Sequence, residues 1–423
     1  MSTSESEART AVFEGREEMT GAAERSLKFT GDVIKRWGPR VPGGKVTAEV
    51  AGHILEEMKK VSDSAWSERF RFTPLGFLSF LSIGAALYIL ALISLFMGWV
   101  VVAAIILALS GAISILEFVF YREAVDWALP HAEGNNVIGQ IEPEGEVKQQ
   151  IIVSGHHDSA YIFTYLERCP KYYFLRTLST YLLVMLITAA TIVAAVWQLA
   201  TGATPEWVGV LRWIMVGGLV MVLPLFFFLD LKGTPGAGDN LIATAMALEL
   251  GRYFKGKKDA GEGLKHTRLW IVSFDAEEAG LRGSRAFVKE HEKELKEVPT
   301  YLYNVDSVYE LKHLKFITAD LNGTMPLSPG VYNDLVAIAN DLGYQAQKLK
   351  IIIGAGATDA AEFAKVGIEG STLIAMRSET FMTDVAYHTS RDTVDAIEPQ
   401  AVVASLEIGQ AFVHRRDSGI AAG

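Results

Sequence analysis

The sequence is poor in cysteine, in basic charge and in amino-terminal apolar residues. Among 423 residues there is one cysteine, Cys169, so the chain can form no internal disulfide and no cysteine-based zinc site. Acidic residues outnumber basic ones, 49 to 39, and no basic stripe or RNA-binding motif occurs, which argues against a nucleic-acid partner. Residues 1–25 are polar and lack the apolar core of a signal peptide, so no cleavage is expected there.

Long apolar runs, by contrast, are abundant. Half of the residues are hydrophobic, and the mean hydropathy of +0.23 is high for a soluble enzyme. One run covers roughly residues 75–120 and breaks at Met97-Gly98-Trp99, and each half is long enough to cross a hydrocarbon core of about 30 Å. A buried helical hairpin in a soluble core is the alternative, but neither half carries a charge before Glu117.

A second pair of apolar segments covers roughly residues 177–200 and 207–229. Arg212 and Pro224 interrupt its last helix. Proline is tolerated in membrane helices, and an arginine near a helix end can reach the interface. We therefore predict four transmembrane helices arranged as two hairpins.

The rest of the chain alternates between strands and helices, which predicts an α/β fold. Residues 26–61 predict two helices separated by a loop at 37–44. Predicted strands cover Glu68–Phe72, Asn136–Ile141, the apolar run before Gly155, Arg268–Phe274, Thr300–Val305, Leu314–Thr318 and Ser371–Met376. Predicted helices cover Asn240–Phe254, Ser284–Leu295, Pro329–Leu342 and Ala360–Lys365.

One strand and its following loop, Gln149 to Ser159, present His156 and Asp158 two positions apart. A β-branched run of this kind is typical of a buried parallel strand, and ligands collect beyond the carboxyl ends of such strands. His156 could bind a divalent metal through one ring nitrogen, while a carboxylate that accepts a hydrogen bond from the other ring nitrogen fixes the tautomer. A lone histidine at a strand end is more simply part of a polar turn, so this interpretation depends on partners elsewhere.

Four later segments supply such partners. They contain Asp239 at the start of a helix, adjacent Glu277 and Glu278 after a buried strand, Asp306 at the end of another strand, and Tyr387-His388. Taken alone, Asp239 is most simply a helix N-cap, and paired glutamates on a turn are usually solvated. At the end of an apolar strand, however, buried carboxylates are costly unless positive charge balances them.

The motifs GHHDS, PGAGDN, FDAEEAGLRGS, NVDS, TDAAEF and YHTSRDT occur in this order. Together they resemble the co-catalytic zinc exopeptidases of clan MH. That group includes bacterial leucyl-type aminopeptidases, glutamate carboxypeptidase, glutaminyl cyclase and the inactive transferrin receptor. The resemblance covers roughly Trp37 to the end, apart from the two hairpins, and implies a three-layer α/β domain with a mixed, largely parallel sheet.

The resemblance also implies two zinc ions and a role for each site residue. Asp239 would bridge the ions, with His156 and Asp306 completing the ligands of one ion, and Glu278 and His388 those of the other. Asp158 would orient His156, Glu277 would be the general base, and Tyr387 would hydrogen-bond the oxyanion. Two close metal ions acidify a shared water and stabilise the tetrahedral oxyanion, and a carboxylate must then carry the proton to the leaving amine.

Two departures from the family's pattern stand out. The small Ser-Gly that usually follows the bridging aspartate is replaced by Leu241-Ile242-Ala243-Thr244, and the soluble relatives lack the two hairpins. The leading interpretation is an aminopeptidase acting on peptides. A carboxypeptidase or dipeptidase would need a basic cluster, for which Arg377 is one candidate. A glutaminyl-cyclase-like enzyme and a non-catalytic receptor-like protein are further alternatives, and the oligomeric state is left open.

We expect a multi-pass membrane protein whose five segments alternate between catalytic domain and membrane. These are residues 1–72 (helices and first strand), 73–121 (first hairpin), 122–171 (catalytic domain), 172–231 (second hairpin) and 232–423 (catalytic domain). Basic residues flank the helices on the domain side: Arg69, Arg71, Arg122, Lys171, Arg176 and Lys232. The positive-inside rule therefore predicts a cytoplasmic catalytic domain. We also expect the active site to face the lipid bilayer, which would favour membrane-associated or hydrophobic peptide substrates.

Overall fold

Strands of the catalytic domain form one mixed sheet in the computed structural model, which describes residues 3–377 and 386–421. The strands are β1 (Ser64–Phe72), β2 (Ala132–Ile141), β3 (Gln149–His156), β4 (Ile162–Phe163), β5 (Leu229–Asp230), β6 (Thr267–Phe274), β7 (Thr300–Val308), β8 (Leu314–Asp320), β9 (Met325–Pro326), β10 (Gln347–Lys350) and β11 (Glu369–Ala375). The sheet order is β1-β2-β6-β3-β7-β11-β8-β10, with β9 beside β8, and β4 pairs with β5 separately.

The helices cover both faces of this sheet and form a separate bundle. They are α1 (Thr3–Trp37), α2 (Lys45–Met58), α3 (Ser79–Phe96), α4 (Val100–Ser114), α5 (Thr164–Arg168), α6 (Pro170–Thr201), α7 (Val208–Val222), α8 (Ile242–Asp259), α9 (Arg282–Leu295), α10 (Pro329–Asp341), α11 (Ala360–Lys365) and α12 (Pro399–Ala421). A π-helical turn, Ile115–Val119, continues α4, and a 3-10 turn, Leu223–Phe227, follows α7.

The four central strands β6, β3, β7 and β11 run parallel, which confirms the predicted largely parallel sheet. β2 runs against both of its neighbours, β1 and β6, and β8 runs against β11. Alternate strand residues enter two different cores. Val153 packs in the core that contains α1, α2, α8, α10 and α12, whereas Ile152 packs in the core that contains α9 and α11. The domain is therefore a three-layer α/β fold.

Four helical segments are long and apolar enough to cross a membrane. They are Ser79–Phe96, Val100–Val119, Pro170–Thr201 and Val208–Phe227. Neighbouring helices pack through a core of their own, and the Tyr88 hydroxyl of α3 donates to the Met215 carbonyl of α7 at 2.9 Å. Large apolar side chains such as Ile105, Leu186 and Val220 are exposed on the outside of this bundle, as expected of a lipid-facing surface.

Both hairpins are inserted at the same edge of the sheet. The first connects the end of β1 to the start of β2, where Phe72 pairs with Ala132. The second follows β3, whose last residue His156 pairs with Phe274 at the end of β6. Since β1, β3 and β6 run in the same direction, both insertions lie at the carboxyl ends of the parallel strands. The turn at residues 142–147 lies at the opposite edge.

Some predicted boundaries are wrong. The helix predicted from Asn240 begins instead at Ile242, because Asp239 and Asn240 have non-helical backbone angles. The helix at the start of the second hairpin begins at Pro170, seven residues before the predicted apolar segment. The C-terminal helix α12 and the short strands β4, β5, β9 and β10 were not predicted from the sequence.

Candidate active site

His156, the last residue of β3, forms the centre of the site together with Asp158. Both side chains are buried, and His156 Nδ1 lies 3.3 Å from Asp158 Oδ1. The two oxygens of Asp158 also accept hydrogen bonds from the backbone N–H groups of Glu277 and Glu278, each at 3.1 Å. Asp158 therefore fixes the imidazole and the carboxylate-bearing loop relative to each other.

Asp239 lies between the two histidines that the sequence identified. Its Oδ1 is 3.4 Å from His156 Nε2, and its Oδ2 is 3.2 Å from His388 Nε2. His388 Nε2 also lies 3.3 Å from Glu278 Oε2. The chain thus brings together residues that are up to 232 positions apart, with one carboxylate between two imidazoles.

Glu277 and Asp306 complete the cluster on the His156 side. Glu277 Oε2 is 3.8 Å from His156 Nε2. Two groups of side chains could each hold a metal ion, and they share His156: one with Glu277 and Asp306, the other with Asp239 and Glu278. By the distances between possible ligand atoms, Glu277 could therefore be a metal ligand, whereas the resemblance implies that it is the general base.

The backbone is strained at three positions in this site. Ala276, Ser307 and His388 have φ values of 56°, 50° and 54°, which residues other than glycine rarely adopt. Ala276 precedes Glu277, Ser307 follows Asp306, and His388 is itself a candidate ligand. Strained backbone of this kind clusters at active sites, where the surrounding structure imposes it.

Arg40 links the two loops that carry His156 and Asp239, and sequence reasoning did not identify it. Its guanidinium is buried and donates to the carbonyl of His157 at 2.7 Å, and to those of Pro235 and Gly236 at 2.8 and 2.7 Å. A Cβ at Gly236, where φ is 65°, would lie 2.7 Å from the Arg40 Nη2 atom. A glycine is therefore required where the arginine approaches the backbone.

The residues that replace the family's Ser-Gly are buried and pack against β3 and β6. A Cβ at Gly155 would lie 2.4 Å from Ala243 Cβ, so α8 contacts the strand directly at this glycine. The hydroxyls of Thr244 and Ser273 are 2.8 Å apart. Leu241 and Ile242 enter the core beside α1 and α12. The larger side chains at residues 241–244 therefore fit into the core behind the site.

Tyr387 and Phe163 line the site beside His388. The Tyr387 ring stacks on the imidazole at 3.9 Å, and the Phe163 ring meets it edge-on at 4.4 Å. Burial, and then the carboxylates of Asp239 and Glu278, raise the pKa of Tyr387 above its usual range, so its phenol stays protonated. A protonated phenol can donate a hydrogen bond to a negatively charged oxygen.

Negative charge dominates the cluster. Burial raises the pKa of Glu277 well above its usual range; His156 opposes this, while Glu278 and Asp306 add to it. Burial lowers the pKa of His388, but Glu278 and Asp239 outweigh burial and raise it to about 10. Five carboxylates face two imidazoles in this buried space, so a bound cation would offset the excess negative charge.

The donor set fits zinc. His156 Nε2, Asp239 Oδ2 and Glu278 Oε1 are buried and have no hydrogen-bond partner among the residues that the structure describes. Imidazole nitrogens and carboxylate oxygens are ligands that Zn²⁺ prefers, and the cluster contains both. The structure therefore provides a possible zinc site at the carboxyl edge of the sheet.

Both hairpins contact this site through the residues at which they join the catalytic domain. At the first hairpin, Phe77 packs against Gly280, where a Cβ would lie 3.0 Å from Phe77 Cβ. Buried Arg282, four residues after Glu278, forms ion pairs with Glu123 at 2.8 Å and Asp126 at 3.2 Å.

A residue just before the second hairpin, Phe163, contacts the candidate ligand His388 directly. The Phe163 N–H donates to the His388 carbonyl at 3.1 Å, and the Phe163 ring packs on Phe228 at 4.9 Å. The loops that carry Glu278 and His388 are therefore attached to the two hairpins of apolar helices.

The sequence model of peptidase family M28 matches residues 225–413. This range contains Asp239, Glu277, Glu278, Asp306 and His388, and the structure adds His156 and Asp158 from outside it. A search of curated proteins finds no matching sequence.

Several solved structures share the fold. A zinc aminopeptidase of Bacillus subtilis has a TM-score of 0.55 at 16% identity, covering 93% of this chain and 95% of that one. A Zn-dependent exopeptidase of Parabacteroides distasonis has a TM-score of 0.54 at 14% identity, covering 92% and 97%. A glutaminyl cyclase of Bacteroides thetaiotaomicron, bound to N-acetylhistamine, has a TM-score of 0.53 at 12% identity, covering 92% and 96%.

These findings confirm the resemblance to the co-catalytic zinc exopeptidases that the motifs carry. The match over residues 225–413 and the shared fold agree with a hydrolase of the zinc metallopeptidase type.

Proposed function

We propose that this protein is a membrane-embedded aminopeptidase with two zinc ions in its active site. The position of Asp239 carries the proposal, since its two carboxylate oxygens lie 3.4 and 3.2 Å from the imidazoles of His156 and His388. His156, Asp306 and Asp239 would hold one ion, and Glu278, His388 and Asp239 the other. When bound, two such ions would lower the pKa of water and stabilise negative charge on the substrate oxygen.

The protein's own groups perform the proton transfers. Glu277 accepts a proton from the attacking water and passes it to the nitrogen of the leaving amine. The position of Glu277 supports this role, because its carboxylate is buried and its Oε2 lies 3.8 Å from His156 Nε2. Tyr387 donates its phenolic hydrogen to the carbonyl oxygen of the scissile bond as that oxygen becomes negative.

The hairpins support a substrate that approaches from the bilayer. Both hairpins leave the sheet at the edge where the candidate ligands lie, and the Phe163 and Phe228 rings form an apolar wall beside His388. The substrate would be a hydrophobic peptide, or a membrane protein whose amino terminus lies near the lipid surface. A plain tether, with the cleft open to the cytosol, is the alternative arrangement.

A substrate screen of the purified protein tests the activity. Peptides and amino-acyl amides with a free amino group should be hydrolysed, and the same compounds with an acetylated amino group should not. Glu277→Gln protein provides the matched control for contaminating peptidases. Equal hydrolysis of acetylated and free peptides, or release of residues from the carboxyl end, would exclude an aminopeptidase.

Arg377 does not favour the carboxypeptidase alternative. Its guanidinium pairs with Glu310 at 2.8 Å, so the candidate clamp for a terminal carboxylate is already engaged by a carboxylate of the same chain.

Glutaminyl cyclase activity is the second candidate, because enzymes of that name share the fold to a similar extent. Peptides that begin with glutamine distinguish the two activities. A cyclase releases ammonia and leaves the peptide at full length, whereas an aminopeptidase releases free glutamine.

A further inference from the structure

A loop near the end of the first hairpin exposes two adjacent isoleucines. The loop comprises residues 351–356 and is called here the isoleucine loop. Ile351 is buried in the domain core, whereas the side chains of Ile352 and Ile353 are 69% and 71% exposed. Adjacent exposed apolar side chains of this size form a small apolar patch, a feature that marks sites of contact with proteins or membranes.

One side chain places this loop beside the end of the first hairpin. The Asn322 Nδ2 group donates to the carbonyl of Phe118 at 2.7 Å, and Phe118 lies in the apolar segment Val100–Val119. The Oδ1 atom of Asn322 accepts from the Gly354 N–H at 2.8 Å, and its own backbone N–H donates to the Gly356 carbonyl at 3.0 Å. The isoleucine loop is therefore attached to the last turn of a candidate membrane helix.

The surroundings of the loop fit a lipid surface. Lys348 and Lys350 are exposed on β10, the edge strand that leads into the loop. Lysine side chains can extend to lipid headgroups while neighbouring apolar residues enter the acyl boundary. Trp127, just after the same hairpin, is 83% exposed, and tryptophan is enriched at membrane interfaces.

We propose that the isoleucine loop inserts into the interfacial layer of the bilayer that the four helices cross. Ile352 and Ile353 enter the acyl boundary, while Lys348 and Lys350 lie at the level of anionic headgroups. The inference depends on the membrane placement in the proposed function. Its consequence is a third attachment of the domain to the bilayer, in addition to the two hairpins, which fixes the tilt of the domain and keeps the metal site at the membrane surface.

Charge and position favour lipid over a second protein chain as the occupant. The exposed pair continues directly from the lipid-facing end of the first hairpin through Asn322, and the flanking lysines match anionic headgroups. A protein partner remains an outcome that the experiment below detects.

Site-directed spin labelling tests this placement without any need for peptidase activity. In a Cys169→Ser background, a single nitroxide is attached at Ile353→Cys, and the protein is reconstituted in vesicles of phosphatidylcholine and phosphatidylglycerol. Accessibility to oxygen, which partitions into lipid, is compared with accessibility to a water-soluble nickel chelate. Leu186→Cys, on the outside of α6, and Glu146→Cys, at the opposite edge of the sheet, are the reference sites.

The proposal predicts that the label at 353 is several-fold more accessible to oxygen than to the chelate, as at 186, and that the label at 146 shows the reverse. A label at 353 that behaves like the one at 146 would overturn the inference and leave the membrane helices intact. Low accessibility to both reagents would indicate a protein partner and would also overturn it. If the label at 186 also favoured the chelate, the membrane placement itself would fail.

Discussion

At the scale of single residues, neighbouring carboxylates of the same residue type have different surroundings in the site and are expected to have different roles. Glu277 and Glu278 are adjacent, and Asp158 accepts a hydrogen bond from the backbone of each. Only Glu278 lies beside His388. The neighbouring glutamates should therefore respond differently to the same substitution.

Glu277→Gln should abolish hydrolysis, with a loss of about 10²–10⁴-fold in kcat, while zinc stays bound. Glu278→Gln and His388→Ala should lose zinc as well as activity, since a ligand is needed for occupancy. Metal analysis alongside the peptidase assay separates the two classes. Substantial turnover by Glu277→Gln protein would remove that residue from the role of base, and loss of zinc in the same variant would make it a ligand.

Arg40→Met should weaken zinc binding by about 10–100-fold, the effect typical of residues that orient metal ligands. The reason is that the carbonyls of His157, Pro235 and Gly236 lose their common donor. Competition with a chromophoric chelator measures the affinity. Arg40→Lys should restore part of it, and Arg36→Met, on the exposed face of α1, should have no effect. Unchanged affinity in Arg40→Met protein would show that the arginine serves stability alone.

The candidate ligands could be predicted from sequence because each lies within a recognisable motif, and all except His388 also lie at the end of a buried strand or near the start of a helix. Arg40 could not, because the site carbonyls that it contacts, those of His157, Pro235 and Gly236, are more than 100 positions away and come together only in the folded chain. The strained backbone at Ala276, Ser307 and His388 carries no sequence signal either, since none of these residues is a glycine.

At the scale of helices and strands, the sequence predicted an element correctly where its hydrophobic pattern extended over many residues. The hairpins follow from long apolar runs, although Arg212 and Pro224 interrupt the last of them. The C-terminal helix α12 was not predicted because residues 401–409 are buried almost all round, between α1, α8 and α10, and show no amphipathic period. The strand β10 was missed because it is a four-residue edge strand with exposed polar side chains.

Arg282 connects the first hairpin to the carboxylate loop, so Arg282→Met should destabilise the protein by about 3 kcal/mol, as expected when one partner of a buried ion pair is removed. Buried Asp126 would be left without its cation, whereas Glu123 would keep Arg285 at 2.7 Å. Thermal unfolding in detergent measures the loss. Arg268→Met is the matched control, since Arg268 pairs with Glu142 and Glu294 nearer the surface and should cost less than about 1 kcal/mol. Equal losses in the two variants would contradict the connecting role.

At the scale of the whole molecule, the proposed membrane crossing has two hairpins that each return the chain, so all parts of the catalytic domain would share a compartment. Six basic residues flank the helices on that side, whereas Arg212, in the second turn of α7, is the basic residue near the far end. Its guanidinium lies 5.9 Å from the ring of Phe96 at the end of α3. The charge difference favours a cytoplasmic domain.

A reporter fused to the C-terminus should therefore be active only in its cytoplasmic form, and protease added to intact cells should leave the domain uncut. A matched fusion in the turn at residues 202–206 should show the opposite behaviour, because that turn lies at the far end of the second hairpin. Cleavage of the C-terminal fusion in sealed cells would contradict the predicted orientation.

The central claim is that two zinc ions in one buried cluster support hydrolysis at a free amino terminus. Titration of metal-free protein with Zn²⁺, while hydrolysis of an amino-acyl amide is followed, tests it most directly. The account predicts that activity reaches its maximum at two zinc ions per chain and is absent with the acetylated amide. Full activity with a single bound zinc, or no hydrolysis when both ions are bound, would contradict it.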